Sequence, residues 1–181
     1  MSKEIEKSRQ IADDIKTLIE TSKEQVAQTV NSEITLLYWN IGKRINEEIL
    51  GNDRAEYGKQ IVASLAQQLG KEYGGSFSEK NLRRMMQFAS VFSDKQIVVS
   101  AMRQLSWTHF IALIPLKDSL KREFYLEMCK IEGWSVKVLR QKIDSMLYER
   151  TAISKKPDEL IEKELKELRE ENKISPDLRV K

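Results

Sequence analysis

From Glu4 to about Leu50 the chain has no proline and no glycine before Gly42. Its apolar residues fall at Ile11, Ile15, Leu18, Ile19, Val26, Val30, Ile34, Leu37, Tyr38, Ile41 and Ile45. Steps of three and four put such residues on one side of an α-helix. The stripe weakens around Thr21 to Glu24, which leaves either one very long helix or two collinear ones, and Gly51-Asn52 is the expected stop. A second, shorter amphipathic helix is predicted over Tyr57 to Tyr73, with Ile61, Leu65 and Leu69 on one face, ending at Gly74-Gly75.

The next helix has two candidate N-caps. Ser76 with Glu79 three residues later spells a capping box, whereas Ser78 as cap sets Phe77 and Leu82 in the positions of a hydrophobic staple. Ser78 is preferred because the staple also buries Phe77. The same device recurs at Ser106, with Leu105 and Phe110, and at Ser135, with Trp134 and Leu139, so each of these serines is expected to start a helix. Lys95 to Gln104 reads as helical despite the β-branched run Ile97-Val98-Val99. Pro115 ends the Trp107 helix, and Asp118 or Ser119 starts another that Gly133 closes. The helix after Ser135 is expected to reach about Glu149.

Beyond Arg150 the pattern changes. "TAISKKP" reads as a linker, and Asp158 to Asn172 as a charged helix with only Leu160, Ile161, Leu165 and Leu168 apolar, too thin a stripe for a core helix. The expected organisation is an all-α fold: a long N-terminal helix plus a helical bundle containing a helix-turn-helix-like unit. Residues 1–150 would form a helical domain, and 151–181 a linker, charged helix and tail.

Composition agrees with that class: 40% hydrophobic and 33% charged residues, with 7 glycines and 3 prolines among 181. The net charge of +3 is unevenly spread. Residues 1–56 carry 8 basic and 11 acidic side chains, residues 57–156 carry 17 and 9, and residues 157–181 carry 6 and 8. An anionic partner is therefore sought in the basic middle. One cysteine, no signal-peptide pattern and no run of 18 apolar residues fit a cytoplasmic protein with no membrane span.

Catalytic chemistry lacks its parts. His109 is the lone histidine and Cys129 the lone cysteine, so a Cys/His zinc site lacks its ligands, any Ser-His-Asp triad would rest on His109 alone, and the glycines never reach phosphate-loop spacing. His109, third in the Trp107 helix, reads as a structural imidazole. "PDELIEKELK" superficially spells a metal-nuclease signature through Asp158, Glu164 and Lys166. That chemistry needs carboxylates converging on one cation, normally from adjoining strands, and these sit on one predicted charged helix. No catalytic residue, metal, cofactor or small-molecule ligand is expected.

Binding is what the residues favour. Helix, Gly-Gly turn and helix follow the plan by which a second helix enters a major groove. The exposed candidates on that second helix are Lys80, Asn81, Arg83, Arg84 and Gln87, since Arg pairs with guanine edges or phosphates and Asn or Gln with adenine. Lys137, Arg140 and Lys142 form a second basic group. Duplex DNA is the expected partner, and self-association through the long first helix is the alternative, with Trp39, Trp107 and Trp134 as core or interface aromatics.

Five stretches carry a family resemblance: "LLYWNIGKRI" (Leu36 to Ile45), "YGKQIVASLAQQL" (Tyr57 to Leu69), "FSEKNLRRMMQF" (Phe77 to Phe88), "LSWTHF" (Leu105 to Phe110) and "GWSVKVLRQKI" with "YERT" (Gly133 to Thr151). In this order they resemble the N-terminal domain of the YhcG-like family, a bacterial domain of unknown function, over about residues 10–151. The resemblance implies a helical, winged-helix-like DNA-binding module followed in that family by a PD-(D/E)XK nuclease-like domain. This sequence stops at Lys181, before any such domain, so the implied role is targeting or assembly and not cleavage.

Overall fold

The computed structural model describes residues 2–50, 55–153 and residue 166. Thr151 to Ile153, read as the start of a linker, are instead helical; the rest of the linker, the charged helix and the nuclease-like signature lie outside the described residues, apart from Lys166. Those described residues form eight α-helices, one 3-10 turn and no strand.

Helix α1, Ser2–Leu50, is one continuous element, so the weak stretch at Thr21 to Glu24 does not divide it. Residues 6–31 are all exposed, and burial begins only where the helix meets the body, at Thr35, Trp39, Gly42 and Ile45. α2 (Ala55–Tyr73) precedes a 3-10 turn at Gly75–Phe77 and then α3 (Glu79–Val91). α3 is the central helix. Its Leu82 and Met85 pack with Ile45 of α1 and Val62 of α2, and its Phe88 and Ala89 enter the main core with Trp39 and Phe110.

α1 and α3 approach more closely than ordinary side chains allow. A Cβ on Gly42 would lie 1.9 Å from the Met85 carbonyl oxygen. On either side of this contact Trp39 Nε1 donates to the Phe92 carbonyl at 2.7 Å, and Asn46 Nδ2 donates to the Met86 carbonyl at 2.9 Å. Three residues of the "YWNIGKRIN" stretch thus bind α3 by its backbone: one supplies room and two supply hydrogen bonds to carbonyls.

The remaining helices are α4 (Lys95–Ala101), α5 (Trp107–Leu113), α6 (Ser119–Glu132), α7 (Val136–Asp144) and α8 (Leu147–Ile153). Asp94 caps α4 by accepting from the Gln96 amide at 2.8 Å, and α4 ends at Ala101, short of the expected Gln104. Val98 is fully buried there, so packing overrides the poor helix propensity of the β-branched run. Asp118, not Ser119, caps α6, accepting from the Leu120 and Lys121 amides. Gly133 closes it in the left-handed region at φ 61°.

All three serines precede helices, but each by a different device. Ser135 accepts from the Val138 amide at 3.3 Å. Ser78 stands at the α3 N-cap in extended conformation without bonding the first turn, and the staple residues Phe77 and Leu82 pack in one cluster. Ser76 sits inside the 3-10 turn. At Ser106 the usual Glu of a capping box is replaced by His109.

The helix after Ser135 is shorter than its sequence predicts. It stops at Asp144, Met146 turns left-handed at φ 55°, and α8 begins at Leu147. The Tyr125 hydroxyl accepts from the Tyr148 amide and donates to the Lys142 carbonyl, both at 3.1 Å, so it bridges the break. Positive φ costs a non-glycine residue about 1–2 kcal/mol; here it turns Leu147 and Tyr148 into the core, where both are buried. All three tryptophans pack on the core, Trp39 fully buried and Trp107 and Trp134 half-buried.

Candidate nucleic-acid interface

Leu82, Met85, Phe88 and Ala89 face α3 inward, and this fixes what it shows outward. Lys80, Arg83, Arg84 and Gln87 stand at i, i+3, i+4 and i+7, which is one helical face. Lys80, Arg83 and Gln87 are exposed; Arg84 and Asn81 are half-buried.

Their partners differ. Arg83 Nη2 reaches Glu79 at 3.4 Å across a pair about half exposed on each side, a contact worth at most a few tenths of a kcal/mol. Asn81 is committed to structure: its Nδ2 donates to the Ser76 carbonyl at 3.2 Å, and its Oδ1 accepts from Arg84 Nη1 at 3.4 Å. Asn81 therefore ties the 3-10 turn to α3 and steadies Arg84. Lys80 and Gln87 have no side-chain hydrogen-bond partner among the described residues.

The second basic group does not hold together as one face. Lys137 and Arg140 are exposed one turn apart on α7, whereas Lys142 turns to the other side and lies over the Trp134 ring at 5.5 Å. α5 packs against both α3 and α7 and so lies between the two basic helices.

His109 belongs to the frame. Its Nε2 lies 2.9 Å from the Trp134 carbonyl, which can only accept, so the ring proton sits on Nε2. Nδ1 then accepts from the Ser106 amide at 3.1 Å, taking the role that Glu plays in an ordinary capping box. Both nitrogens are occupied, which leaves none for proton transfer to a substrate. Burial lowers its pKa below the usual 6.5, and the bond to Trp134 offsets only part of that effect.

A pH dependence follows. The unfolded chain binds the His109 proton at higher pH than the folded one, so the stabilisation is complete above pH 6.5 and declines as pH falls toward the lower folded value. Thermal unfolding should therefore shift to lower temperature between pH 7.5 and 5.5. As His109 is the sole histidine, His109→Gln should flatten that interval. An unchanged slope in the variant would refute the assignment.

Cys129 is buried and its thiol is pushed up to about 12, so it is inert as a nucleophile. No group of three or more His, Cys, Asp or Glu is placed to hold a metal among the described residues. None of the described helices is long and apolar enough to cross a membrane. The largely apolar groove lined by Ile41, Ile45, Ile61, Leu65 and Leu69 offers only Asn40, Arg44 and Glu48 at its polar edge.

The sequence left two determinants of this site unmarked. Gly42 and Asn46 do not touch the basic face, yet they set the height of α3 against α1. A glycine inside a helical stripe, flanked at i−3 and i+4 by a tryptophan and an asparagine, is the signal in retrospect.

The DUF1016 N-terminal domain model matches residues 14–150 of the chain. A protein named "Putative nuclease YhcG" from Escherichia coli (strain K12) is 30% identical over 176 residues, covering 81% of this chain and 47% of that protein. The chain thus spans about half the length of this curated relative. No solved structure matches the chain. The chain belongs to the DUF1016 N-terminal domain family, in keeping with the resemblance carried by its five sequence stretches.

Proposed function

We propose that this chain is a non-catalytic, helix-turn-helix-like DNA-binding module that brings a nuclease-type protein to duplex DNA. The observation that carries the reading is the ridge of Lys80, Arg83, Arg84 and Gln87 along the outer face of α3, directly after α2 and the tight turn. A helix so presented can lie in a major groove, with Arg and Gln toward base edges and Lys toward phosphate.

Two further features support it. The Ser78 hydroxyl is not spent on the first-turn amides of α3, so those N–H groups and the exposed Ser76 and Ser78 hydroxyls are available to a phosphate oxygen. α3 is also locked to α1 through backbone contacts, which gives the ridge a rigid base. The named nuclease relative makes DNA the natural polyanion to test first. Lys137 and Arg140 on α7 would add phosphate contacts outside the groove, and the proposed compartment is the cytoplasm.

Fluorescence anisotropy of a labelled duplex, titrated at increasing salt, tests the proposal. Binding should be tight at low salt and weaken steeply, because each neutralised phosphate releases counterions and contributes about −0.9 to the log–log slope. Absence of any anisotropy change at low salt would sink the proposal.

A further inference from the structure

We propose that α1 pairs antiparallel with α1 of a second copy of this chain, along the apolar stripe on its outer face. The body holds α1 from one side only. Gln28, Ser32, Trp39 and Asn46 donate to the carbonyls of Arg103, Met102, Phe92 and Met86, with Thr35 and Gly42 buried between them. At 100° per residue, Ile15, Ile19, Val26 and Val30 fall on the opposite side, with Ile11 and Ile34 at its two edges. They are 38–62% exposed, and with Leu18 and Leu37 they present roughly 750 Å² of apolar surface. That is close to what one partner contributes to a standard interface and more than a typical monomer leaves open.

The shape of the stripe selects the occupant. Ile11, Ile15, Ile19, Ser22, Val26 and Val30 step 4-4-3-4-4, or 19 residues in five steps at about 3.8 residues per turn, so the stripe drifts slowly around the helix as it runs along it. A line this long calls for another helix of matching length. α2, the next longest described helix, has 19 residues against 49 in α1. Residues 6–31 are exposed throughout, and a helix without tertiary packing is marginal in water, so a partner is what would hold this half of α1 in shape.

The stripe is also symmetric about the point between Ser22 and Lys23. Rotating a second copy about that point sets Ile11 against Ile34, Ile15 against Val30 and Ile19 against Val26. This is the self-complementarity a two-fold interface requires. Charges agree with it: Asp14 comes level with Asn31, Lys16 with Thr29, Glu20 with Gln25 and Glu24 with Thr21, so each opposes a neutral side chain. Parallel pairing would set every charge level with its own copy.

Sedimentation equilibrium of the full chain across the micromolar range tests the dimer. The expected mass is twice 21.1 kDa. Ile19→Glu/Val26→Glu should weaken association by at least about a hundredfold, because both charges would be buried unpaired. Both positions are exposed in the single chain, so the thermal transition of the body should persist in that variant. A parent chain that stays monomeric throughout, leaving the stripe to some other partner, overturns the proposal; so does a charged variant that dimerises like the parent. Direction is read by cross-linking: a mixture of Ile11→Cys and Ile34→Cys chains should form a disulfide-linked dimer on oxidation, and Ile11→Cys alone should not. Linkage of Ile11→Cys to itself would overturn the antiparallel arrangement.

Discussion

Gly42→Ala should destabilise the fold by about 3–5 kcal/mol, at the upper end of what single substitutions cost. The added methyl would sit 1.9 Å from the Met85 carbonyl oxygen, 2.3 Å from its carbon and 2.9 Å from the Met86 nitrogen. These are backbone atoms of a second helix, so no side-chain rotation relieves the clash and α1 must move away from α3. That motion stretches the Trp39–Phe92 and Asn46–Met86 hydrogen bonds, which span the same interface. Urea unfolding followed by tryptophan fluorescence should show a lower midpoint with little change in slope. Gly70→Ala supplies the internal contrast. It lies within α2 with nothing inside 4 Å of the added carbon, so the same substitution should stabilise by roughly 0.5–1 kcal/mol through helix propensity. A Gly42→Ala protein as stable as its parent would mean that α1 and α3 do not approach as described.

Lys80→Glu/Arg83→Glu should reduce duplex affinity on the order of a hundredfold or more at low salt, if α3 is the DNA-reading helix. Two favourable phosphate or base contacts become two repulsions, and the salt slope should fall by about two contacts' worth. This pair is a cleaner choice than one including Arg84. Lys80 is exposed and Arg83 holds only a surface pair with Glu79, whereas Arg84 is half-buried and bonded to Asn81. Helix content and unfolding temperature should therefore stay near those of the parent. Lys137→Glu/Arg140→Glu on α7 should have a smaller effect, since α5 stands between that face and α3. If the α3 variant binds as well as the parent, the ridge is not the contact surface.

Local pattern reading located most helices because their signals are short-range. The serines that begin α3, α5 and α7, Pro115 after α5 and Gly133 after α6 act within a turn of where they stand. The apolar spacing of α1 likewise identified a helix, but could not decide between one rod and two, since Thr21 to Glu24 is equally polar in both. Continuity there interrupts no packing, because residues 6–31 face solvent.

The failures share one cause. The break at Met146 is absent from any local propensity; it exists because the Tyr125 hydroxyl on α6 engages Lys142 and Tyr148 and draws Leu147 inward. His109 acting as the capping-box partner required Trp134 to come within 2.9 Å, which twenty-five positions of sequence separation conceal. Lys142 stands near Lys137 and Arg140 along the chain, but the helix turns it toward Trp134 instead.

By itself the sequence determined the helical class and most helix starts, because periodicity and caps are set by neighbours within a few residues. Only the tertiary structure decided that Gly42 is where two helices meet, that Asn81 and Arg84 are partly committed to each other, and that half of α1 leaves the body with its apolar face uncovered. Each of those depends on which surfaces meet across long stretches of chain, and no local pattern encodes the meeting.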